Sequence, residues 1–177
     1  PRRNTAAVCR PLTSDADWLD LAQLQKDNRG DYPLAEYGPF VDRSVAARRR
    51  LVEQGHGQWW GAFLDGQLRS SMGLFSDGLG VARYQHVDTH PDARRQGLAG
   101  TLVHAIGRWG LTPTDQGGLG ADRLVIVADT DDVAIRVYRS VGFRDTTPIH
   151  VFERPGWERP GWQQPDEPPQ ESISPEA

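Results

Sequence analysis

The sequence predicts an α/β (α+β) domain with a mixed, mostly antiparallel central sheet flanked by helices. The first observation is Asp65-Gly66, a two-residue hairpin signal between strand-like segments at residues 58–64 and 67–75. The second is the apolar run Leu-Val-Ile-Val at residues 124–127, which is typical of a strand covered on both faces. The third is the helical spacing of apolar residues over 98–109, directly after a strand-like segment at 81–87.

Local signals place the other elements along the chain. Thr13-Ser14-Asp15 provides helix caps ahead of an apolar-periodic segment, and Gly55 is a natural stop for a second helix. The aromatic and acidic segment at residues 31–40 is predicted to be a loop. The remaining predictions are a strand at 6–10, a helix at 15–28, a helix at 42–54, a Gly-rich loop at 112–122, a strand at 123–128, a helix at 131–141 and a strand at 150–153.

Size and composition indicate one folded domain followed by a tail. The chain has 177 residues, which suits a single domain with a fair-sized core. We assign the domain to residues 1–154 and a Pro-rich, largely disordered tail to residues 155–177, which hold six of the thirteen prolines. Apart from Trp157 and Trp162, the tail has little apolar surface to bury, so it is not expected to fold alone.

Charge and cysteine content argue against several classes of protein. A formal net charge of −4 argues against a nucleic-acid binder, which is usually basic. Cys9 is the only cysteine, so no intramolecular disulfide can form, and no metal site is expected. No apolar run approaches the roughly 20 residues that a membrane-spanning helix needs. We therefore expect a cytoplasmic protein with neither a membrane nor a nucleic acid as partner.

The segment Arg94-Arg95-Gln96-Gly97-Leu98-Ala99 is the most informative motif in the chain. It joins the strand predicted at 81–87 to the helix that begins near Leu98. The first N–H groups of a helix have no intrahelical partners and lie at the positive end of the helix dipole, so this junction predicts a phosphate-binding site. Gly97 lets the backbone approach an anion closely, and Ala99 keeps the first helical turn slim.

Two motifs in order resemble the GCN5-related N-acetyltransferase (GNAT) family. The family signature Arg/Gln-x-x-Gly-x-Gly/Ala at a strand–helix junction matches residues 94–99, with Val87 and Pro91 at the usual spacing ahead of it. A family segment that ends in Leu-Tyr-x-x-x-Gly-Phe is similar to residues 137–143, Val-Tyr-Arg-Ser-Val-Gly-Phe. The resemblance covers residues 6–153, and it implies a GNAT-like acetyltransferase domain over residues 1–154.

The resemblance implies acetyl-CoA as the co-substrate. Backbone N–H groups of the turn would hold its pyrophosphate, and its pantetheine arm would pair like a strand with the end of the preceding strand. Asp131 stands where family members often have an asparagine that contacts the arm, and an aspartate can still cap the helix. The implied acetyl-CoA-binding residues are Val87, Asp88, Thr89, Arg94, Arg95, Gln96, Gly97, Leu98, Ala99, Gly100 and Asp131.

The same resemblance implies catalytic roles for Val87 and Tyr138. The N–H of Val87 would stabilise the developing oxyanion, and Tyr138 matches the tyrosine that protonates the departing thiolate. The alternative for Tyr138 is a helix tyrosine packed against the sheet. Some members carry a glutamate base near the position of Arg83, which cannot act as a base. His86 is then a candidate base, because an imidazole can deprotonate an ammonium through water, and the alternative is a structural strand histidine.

The candidate acceptor residues lie earlier in the chain. Glu36 and Tyr37 belong to the segment that borders the acceptor site in the family, and Glu36 would suit a cationic amine. The cluster Arg48-Arg49-Arg50 could attract an anionic acceptor. Three consecutive helix residues point in different directions, however, so a solvated face is the favoured interpretation of this cluster.

These observations favour direct transfer of an acetyl group from acetyl-CoA to a primary amine of a small molecule. Two alternatives stay open. One is a CoA-binding module without catalysis, which the missing glutamate favours. The other is an enzyme that acts on a peptide or protein N-terminus. A homodimer is the remaining partner expectation.

Overall fold

A five-stranded sheet and four α-helices make up the structure, a computed structural model that describes residues 3–129 and 133–149. The strands are β1 (Val8–Pro11), β2 (Gly57–Leu64), β3 (Gln67–Ser76), β4 (Val81–Thr89) and β5 (Arg123–Val125). The helices are α1 (Asp15–Asp27), α2 (Leu34–Glu53), α3 (Leu98–Leu111) and α4 (Val133–Ser140), with short 3₁₀ helices at Pro91–Ala93 and Thr114–Gln116. All of these elements belong to one unit, Pro1–Arg144.

The strands of the sheet follow chain order, β1-β2-β3-β4-β5. The first four strands are antiparallel to their neighbours, and β5 runs parallel to β4. This topology confirms the predicted mixed, mostly antiparallel sheet. Asp65 and Gly66, both at positive φ, form the tight turn between β2 and β3, as the hairpin signal predicts.

Helices cover both faces of the sheet. On one face, α3 and α4 pack over a core that includes Met72, Leu74, Leu102, Ile106 and Tyr138. On the other face, α1 and α2 pack over a second core that includes Trp18, Leu21, Val41, Val45 and Trp59. Because strand side chains alternate between the faces, β2 and β3 contribute to both cores, whereas the apolar residues of β4 belong to the first.

The start of α1 is fastened to β1 by one buried carboxylate. Asp17, which is 4% exposed, accepts hydrogen bonds from the N–H groups of Thr13 and Ser14, and the Asp17 N–H donates a capping bond to Oγ of Ser14. The Arg10 guanidinium donates two bonds to the same carboxylate, at 2.7 and 2.9 Å. The bond from Arg10, together with the backbone bonds, holds the pKa of Asp17 well below its usual range.

Residues 34–40 form the first turns of α2, so the predicted loop at 31–40 is wrong for this part. Pro39 lies inside the helix and removes one backbone bond. Side-chain packing compensates for this loss: the Tyr37 ring stacks on Tyr32 with centroids 5.7 Å apart and lies 5.8 Å from Phe40. Tyr37 also packs against the second core, so tertiary contacts override the loop prediction for residues 34–40.

Two strands are shorter or shifted relative to the prediction. Strand β5 ends at Val125 rather than residue 128, because it pairs with β4 only as far as Arg83. Strand β1 begins at Val8 rather than residue 6, because the Oδ1 atom of Asn4 accepts the preceding two backbone N–H groups at 3.0 and 3.1 Å. In both cases the pairing available to the backbone sets the strand limit.

Several predictions lie outside the described residues: the strand at 150–153, the tail at 155–177 and the site residue Asp131. None of the helices that the structure describes is long and apolar enough to cross a membrane. Within residues 3–129 and 133–149, no group of three His, Cys, Asp or Glu side chains could hold a metal ion.

Candidate active site

A β-bulge near the end of β4 shapes the candidate site. Gln85 and Asp88 pair with β3 residues that are only two apart, so His86 and Val87 together oppose Met72. His86 adopts a left-handed conformation with φ of +49°, which is uncommon for a residue other than glycine. The strain at this position is held by the surrounding sheet, and strained residues of this kind occur often at functional sites.

The bulge decides which helices the following side chains face. Val87 packs against the core beneath α3. The next residue, Asp88, belongs to the opposite side, where its negative charge acts on Tyr37 and Arg48 of α2. In a regular strand Val87 would lie on the same face as Gln85, so the extra residue reverses the alternation for the end of β4.

Strands β4 and β5 separate at the level of the bulge. Their parallel pairing runs only from Val81 with Arg123 to Arg83 with Val125, whereas β4 continues to Thr89. Residues 126–129 are not assigned to any strand. The edge of β4 beyond Arg83 is therefore open to pair with an extended ligand.

The turn before α3 is a series of free backbone donors. In the part of the chain that the structure describes, the N–H groups of residues 95–100 have no hydrogen-bond partner. Arg95 and Gly97 both have positive φ, +60° and +79°, and Gly97 is the N-cap of α3. Successive N–H groups in such a conformation form a concave anion-binding nest, and the helix dipole adds to its positive potential.

The side chains of this turn have other roles than the backbone. Arg94 donates to Oδ1 of Asn28 at 2.9 Å, and its own N–H donates to the Pro91 carbonyl, so the free series begins at Arg95. Gln96 donates to the Asp92 carbonyl at 3.2 Å. The Arg95 side chain is exposed. Leu98 and Gly100 are buried at the base of the helix, so the backbone of this turn is well anchored.

A cleft of about 600 Å³ lies on the α2 side of the sheet, beside the bulge. Its floor is largely apolar, and its rim carries one arginine and two histidines. The lining residues are Arg48, Leu51, His56, Trp59, Phe75, Ser76, Gln85 and His86. No carboxylate is among them.

His86 and Asp88 form a pair at the edge of this cleft. Nε2 of His86 lies 3.0 Å from Oδ2 of Asp88. The angle at this contact is outside hydrogen-bond geometry, so Oδ2, which is buried, keeps its capacity to accept a bond. Ser71, paired with Asp88 across the strands, has a buried Oγ without a hydrogen-bond partner among the described residues. A polar ligand or water would satisfy both atoms.

Arg48 is the basic residue of the cleft. Its Nη1 donates to Oε1 of Gln25 at 2.8 Å, and its Cζ lies 4.9 Å from the Trp59 ring centroid. Burial lowers the pKa of Arg48, and the nearby charge of Asp88 partly opposes this. The favoured interpretation of residues 48–50 as a solvated face is therefore wrong for Arg48. It holds for its neighbour Arg49, which forms surface ion pairs.

The two predicted acceptor residues lie in different surroundings. Tyr37 is half-buried, and burial together with the charge of Asp88 raises the pKa of its phenol. Tyr37 and Arg48 therefore both lie within the electrostatic reach of the Asp88 carboxylate. Glu36 is exposed in the first turn of α2 and does not line the cleft.

Tyr138 lies on α4, beneath the opposite face of the sheet from the cleft. It is 6% exposed and packs in the core with Phe143, whose ring centroid is 6.5 Å away. Phe143 in turn packs against Tyr84 of β4 at 5.7 Å. On the same helix, Val137 approaches Gly100, where an added Cβ would lie 3.4 Å from Cγ1. The later motif therefore packs against both β4 and the start of α3.

The sequence contains a signal for the buried position of Arg48. Val41, Val45 and Arg48 follow one another at spacings of four and three, so they lie on one stripe of α2. Both valines are buried in the core beneath the helix. An arginine that continues a buried stripe is expected to reach the same interior surface, which is where the structure places it.

Comparison with known proteins assigns the chain to a family. The sequence model of the Acetyltransferase (GNAT) family matches residues 18–143. The chain therefore belongs to the GNAT family of acetyltransferases, and this membership makes it an N-acetyltransferase-class acyltransferase. No curated protein shows significant sequence similarity to it.

Solved structures share the fold at low sequence identity. The aminoglycoside acetyltransferase AAC(6')-Iy, in complex with the bisubstrate analogue CoA-S-monomethyl-acetylneamine, aligns with a TM-score of 0.63 at 17% identity over 84% of this chain and 97% of that chain. The enzyme meta-AAC0020 from an uncultured soil sample, in complex with sisomicin, gives 0.62 at 15% identity over 84% and 96%. An acetyltransferase from Trypanosoma brucei gives 0.59 at 17% identity over 84% and 99%.

Proposed function

We propose that the protein transfers an acetyl group directly from acetyl-CoA to a primary amine of a small molecule. The observation that carries the proposal is the opening between β4 and β5, which lies beside the bulge and is followed along the chain by the free amides of residues 95–100. An extended thioester with a diphosphate at one end fits this arrangement, with the extended part at the opening and the diphosphate at the free amides. The two aminoglycoside enzymes with the same fold support an amine as acceptor.

The turn before α3 fits the diphosphate. Free N–H groups at a helix N-terminus bind phosphate oxygens, and the positive φ of Gly97 permits the backbone to curve around them. The side chain of Arg95 is free to add a contact, whereas that of Arg94 is held by Asn28. We therefore assign the phosphate contacts mainly to the backbone of residues 95–100.

The end of β4 fits the pantetheine arm. The N–H of His90 donates to the Arg69 carbonyl of β3, so by strand alternation Asp88 also directs its backbone groups toward β3. Val87 and Thr89 then direct theirs to the opposite edge, where β5 has separated. We propose that these two residues pair with the amide groups of the arm.

The residues around the bulge supply the chemistry of transfer. Acetyl-CoA supplies the acetyl group as a thioester. The N–H of Val87 stabilises the negative charge that develops on the carbonyl oxygen during attack by the amine. His86, at the rim of the cleft, accepts the proton of the acceptor ammonium, directly or through water, and the adjacent Asp88 carboxylate stabilises the imidazolium that forms.

Tyr138 is our candidate for the proton donor to the departing thiolate. Its burial near the junction of β4 and α3 supports this role, because a phenol there would be shielded from bulk water. Asp131, outside the described residues, is retained as a candidate contact to the CoA arm. Tyr37, near Asp88, is retained as a candidate contact to the acceptor. Glu36, exposed in the first turn of the same helix, is retained as a second candidate.

Isothermal titration with acetyl-CoA is the first experiment, followed by thiol detection with a panel of primary amines and short peptides. We expect acetyl-CoA to bind and free CoA to appear in an amine-dependent reaction. Absence of binding at millimolar ligand contradicts the proposal. Binding without thiol release for any amine supports the alternative of a non-catalytic CoA-binding module, and release with peptides alone supports an N-terminal acetyltransferase.

A further inference from the structure

The cleft beside the bulge contains a cation that lacks a matching anion. Arg48 is partly buried there, and its guanidinium contacts Gln25 and the Trp59 ring. Within residues 3–129 and 133–149, no carboxylate forms an ion pair with it. The charge of Asp88 acts on it from a longer distance, but the Asp88 carboxylate lies directly against His86.

The neighbouring arginine shows that this arrangement is specific to Arg48. Arg49 pairs with Asp15 at 2.7 Å and with Glu53 at 2.8 Å on the surface of the protein. Arg48 instead extends from the buried stripe of α2 into the cleft. A guanidinium removed from water without an ionic partner is unfavourable, and a ligand carboxylate would satisfy its fork of donors in a bidentate contact.

The remainder of the lining indicates what else the ligand contains. Leu51 and Phe75 provide apolar surface in the same cleft, and no acidic side chain lines it. The nearest carboxylate, Asp88, lies at the edge of the cleft against His86, where it suits the single acceptor ammonium. An aminoglycoside, which carries several ammonium groups, would place extra positive charge close to Arg48. The cleft therefore favours one amine, one anion and an apolar body over a polycation.

We propose that the acceptor is an amine that also bears a carboxylate, with the carboxylate bound by Arg48 and an apolar side chain against Leu51 and Phe75. This inference rests on the N-acetyltransferase function proposed above. It identifies Arg48 as the residue that determines the acceptor class. The acceptor amine would then lie near His86, which also lines the cleft.

Matched acceptors test the inference. Acetyl transfer to L-phenylalanine and L-leucine is compared with transfer to their amides, to the corresponding decarboxylated amines and to kanamycin, with saturating acetyl-CoA and thiol detection. We expect kcat/KM for each acid to exceed that for its amide and its decarboxylated amine by at least tenfold. At neutral pH a larger fraction of the amide's amine is deprotonated, which favours the amide, so a preference for the acid over its amide does not arise from ionisation. The decarboxylated amine is more basic than the acid, so the comparison with the amide is the decisive one.

Variants at adjacent positions provide the control. Arg48→Met is expected to remove the preference for the acid while acetyl-CoA binding and the melting temperature stay close to those of the wild type. Arg49→Met, which changes a surface ion pair, is expected to keep the preference. Should Arg48→Met fail to fold, Arg48→Lys retains the charge without the bidentate fork, and it is expected to reduce the preference.

Each result has a separate meaning. A preference for acids that Arg48→Met abolishes supports the inference. Equal or faster transfer to amides, decarboxylated amines or kanamycin overturns the acceptor class and leaves the N-acetyltransferase function intact. Acetyl-CoA binding without thiol release for any acceptor overturns the proposed function, and the acceptor class with it.

Discussion

Nε2 of His86 lies 3.0 Å from Oδ2 of Asp88, two residues further along the same bulged strand. The pair stands where the sheet opens between β4 and β5, at the edge of the cleft that contains Arg48. A carboxylate this close to the proposed base stabilises the positive charge that the base acquires when it accepts a proton. This relationship links the backbone geometry of the bulge to the proposed proton transfer.

His86→Gln is expected to lower kcat by about 10²-fold or more, because it removes the proposed base. The measurement is steady-state thiol release at saturating acetyl-CoA. His104→Gln on α3, which changes a contact with Arg3 at 2.8 Å, serves as the control. An unchanged rate in His86→Gln would remove the residue from the mechanism.

Gly97→Ala is expected to weaken acetyl-CoA binding at least tenfold, because φ of +79° at the N-cap of α3 is unfavourable for alanine and its relaxation would distort the phosphate-binding turn. The free energy of unfolding should fall by about 1–2 kcal/mol. Isothermal titration and urea denaturation measure the two effects.

Gly117→Ala is the matched control for this strain. Gly117 has φ of +80° and open space around its Cα, as in an ordinary turn glycine. Its substitution should lower stability by a similar amount, about 1–2 kcal/mol, without a change in acetyl-CoA affinity. Equal affinity in both variants would contradict the assignment of the phosphate contacts to the turn at residues 95–100.

Tyr138→Phe is expected to lower kcat by about tenfold or more with little change in acetyl-CoA affinity, because the ring and its packing on Phe143 remain while the proposed proton donor is lost. Tyr84→Phe is the control. The Tyr84 hydroxyl donates to the Val103 carbonyl at 2.9 Å, so its removal should lower stability by about 1 kcal/mol and leave kcat unchanged. A Tyr138→Phe enzyme with wild-type turnover would indicate that the tyrosine only packs.

Asp17 should make the protein sensitive to acid. Its folded-state pKa is depressed, first by the hydrogen bond from Arg10, so its stabilisation is present above the ordinary carboxyl pKa of about 4 and is lost as pH falls toward the folded-state value. Asp17→Asn is expected to be less stable than the wild type at pH 7 by about 1–3 kcal/mol, with the difference shrinking below pH 4.

Denaturation by urea at pH 7, 5 and 3 measures this linkage. Asp20→Asn, on the exposed face of the same helix, is the control and should change stability by less than about 0.5 kcal/mol. A constant difference between Asp17→Asn and the wild type over this pH range would show that the carboxylate contributes through packing rather than through its charge.

The structure shows which sequence signals are reliable and why. Asp65-Gly66 predicts its hairpin because the turn geometry depends on two adjacent residues. The aromatic and acidic residues of 31–40 predict a loop that is overridden from residue 34 onward, because Tyr37 packs against the second core and stabilises helix through that segment. Local patterns fail where contacts distant in sequence supply more free energy than the local preference.

The bulge and the cleft could not be predicted from local patterns. His86 gives no sign in its sequence context that its φ is positive, because the bulge arises from the register between β3 and β4. Arg48 is one of three consecutive arginines in the sequence, and only the packing of the stripe that it shares with Val41 and Val45 separates its surroundings from those of the other two. Asp131 and the segment beyond residue 149 stay as sequence-based predictions.

The sequence by itself determined the turn that we propose for the acetyl donor. Residues 94–100 are a continuous segment, so the free amides from residue 95 onward and the glycine that shapes them follow from local backbone chemistry. Together with the motif at 137–143, this segment identified the family. Only the tertiary structure decided the cleft that we propose for the acceptor, because Gln25, Arg48, Trp59, Phe75 and His86 come from separate elements, and only strand register and helix packing bring them together.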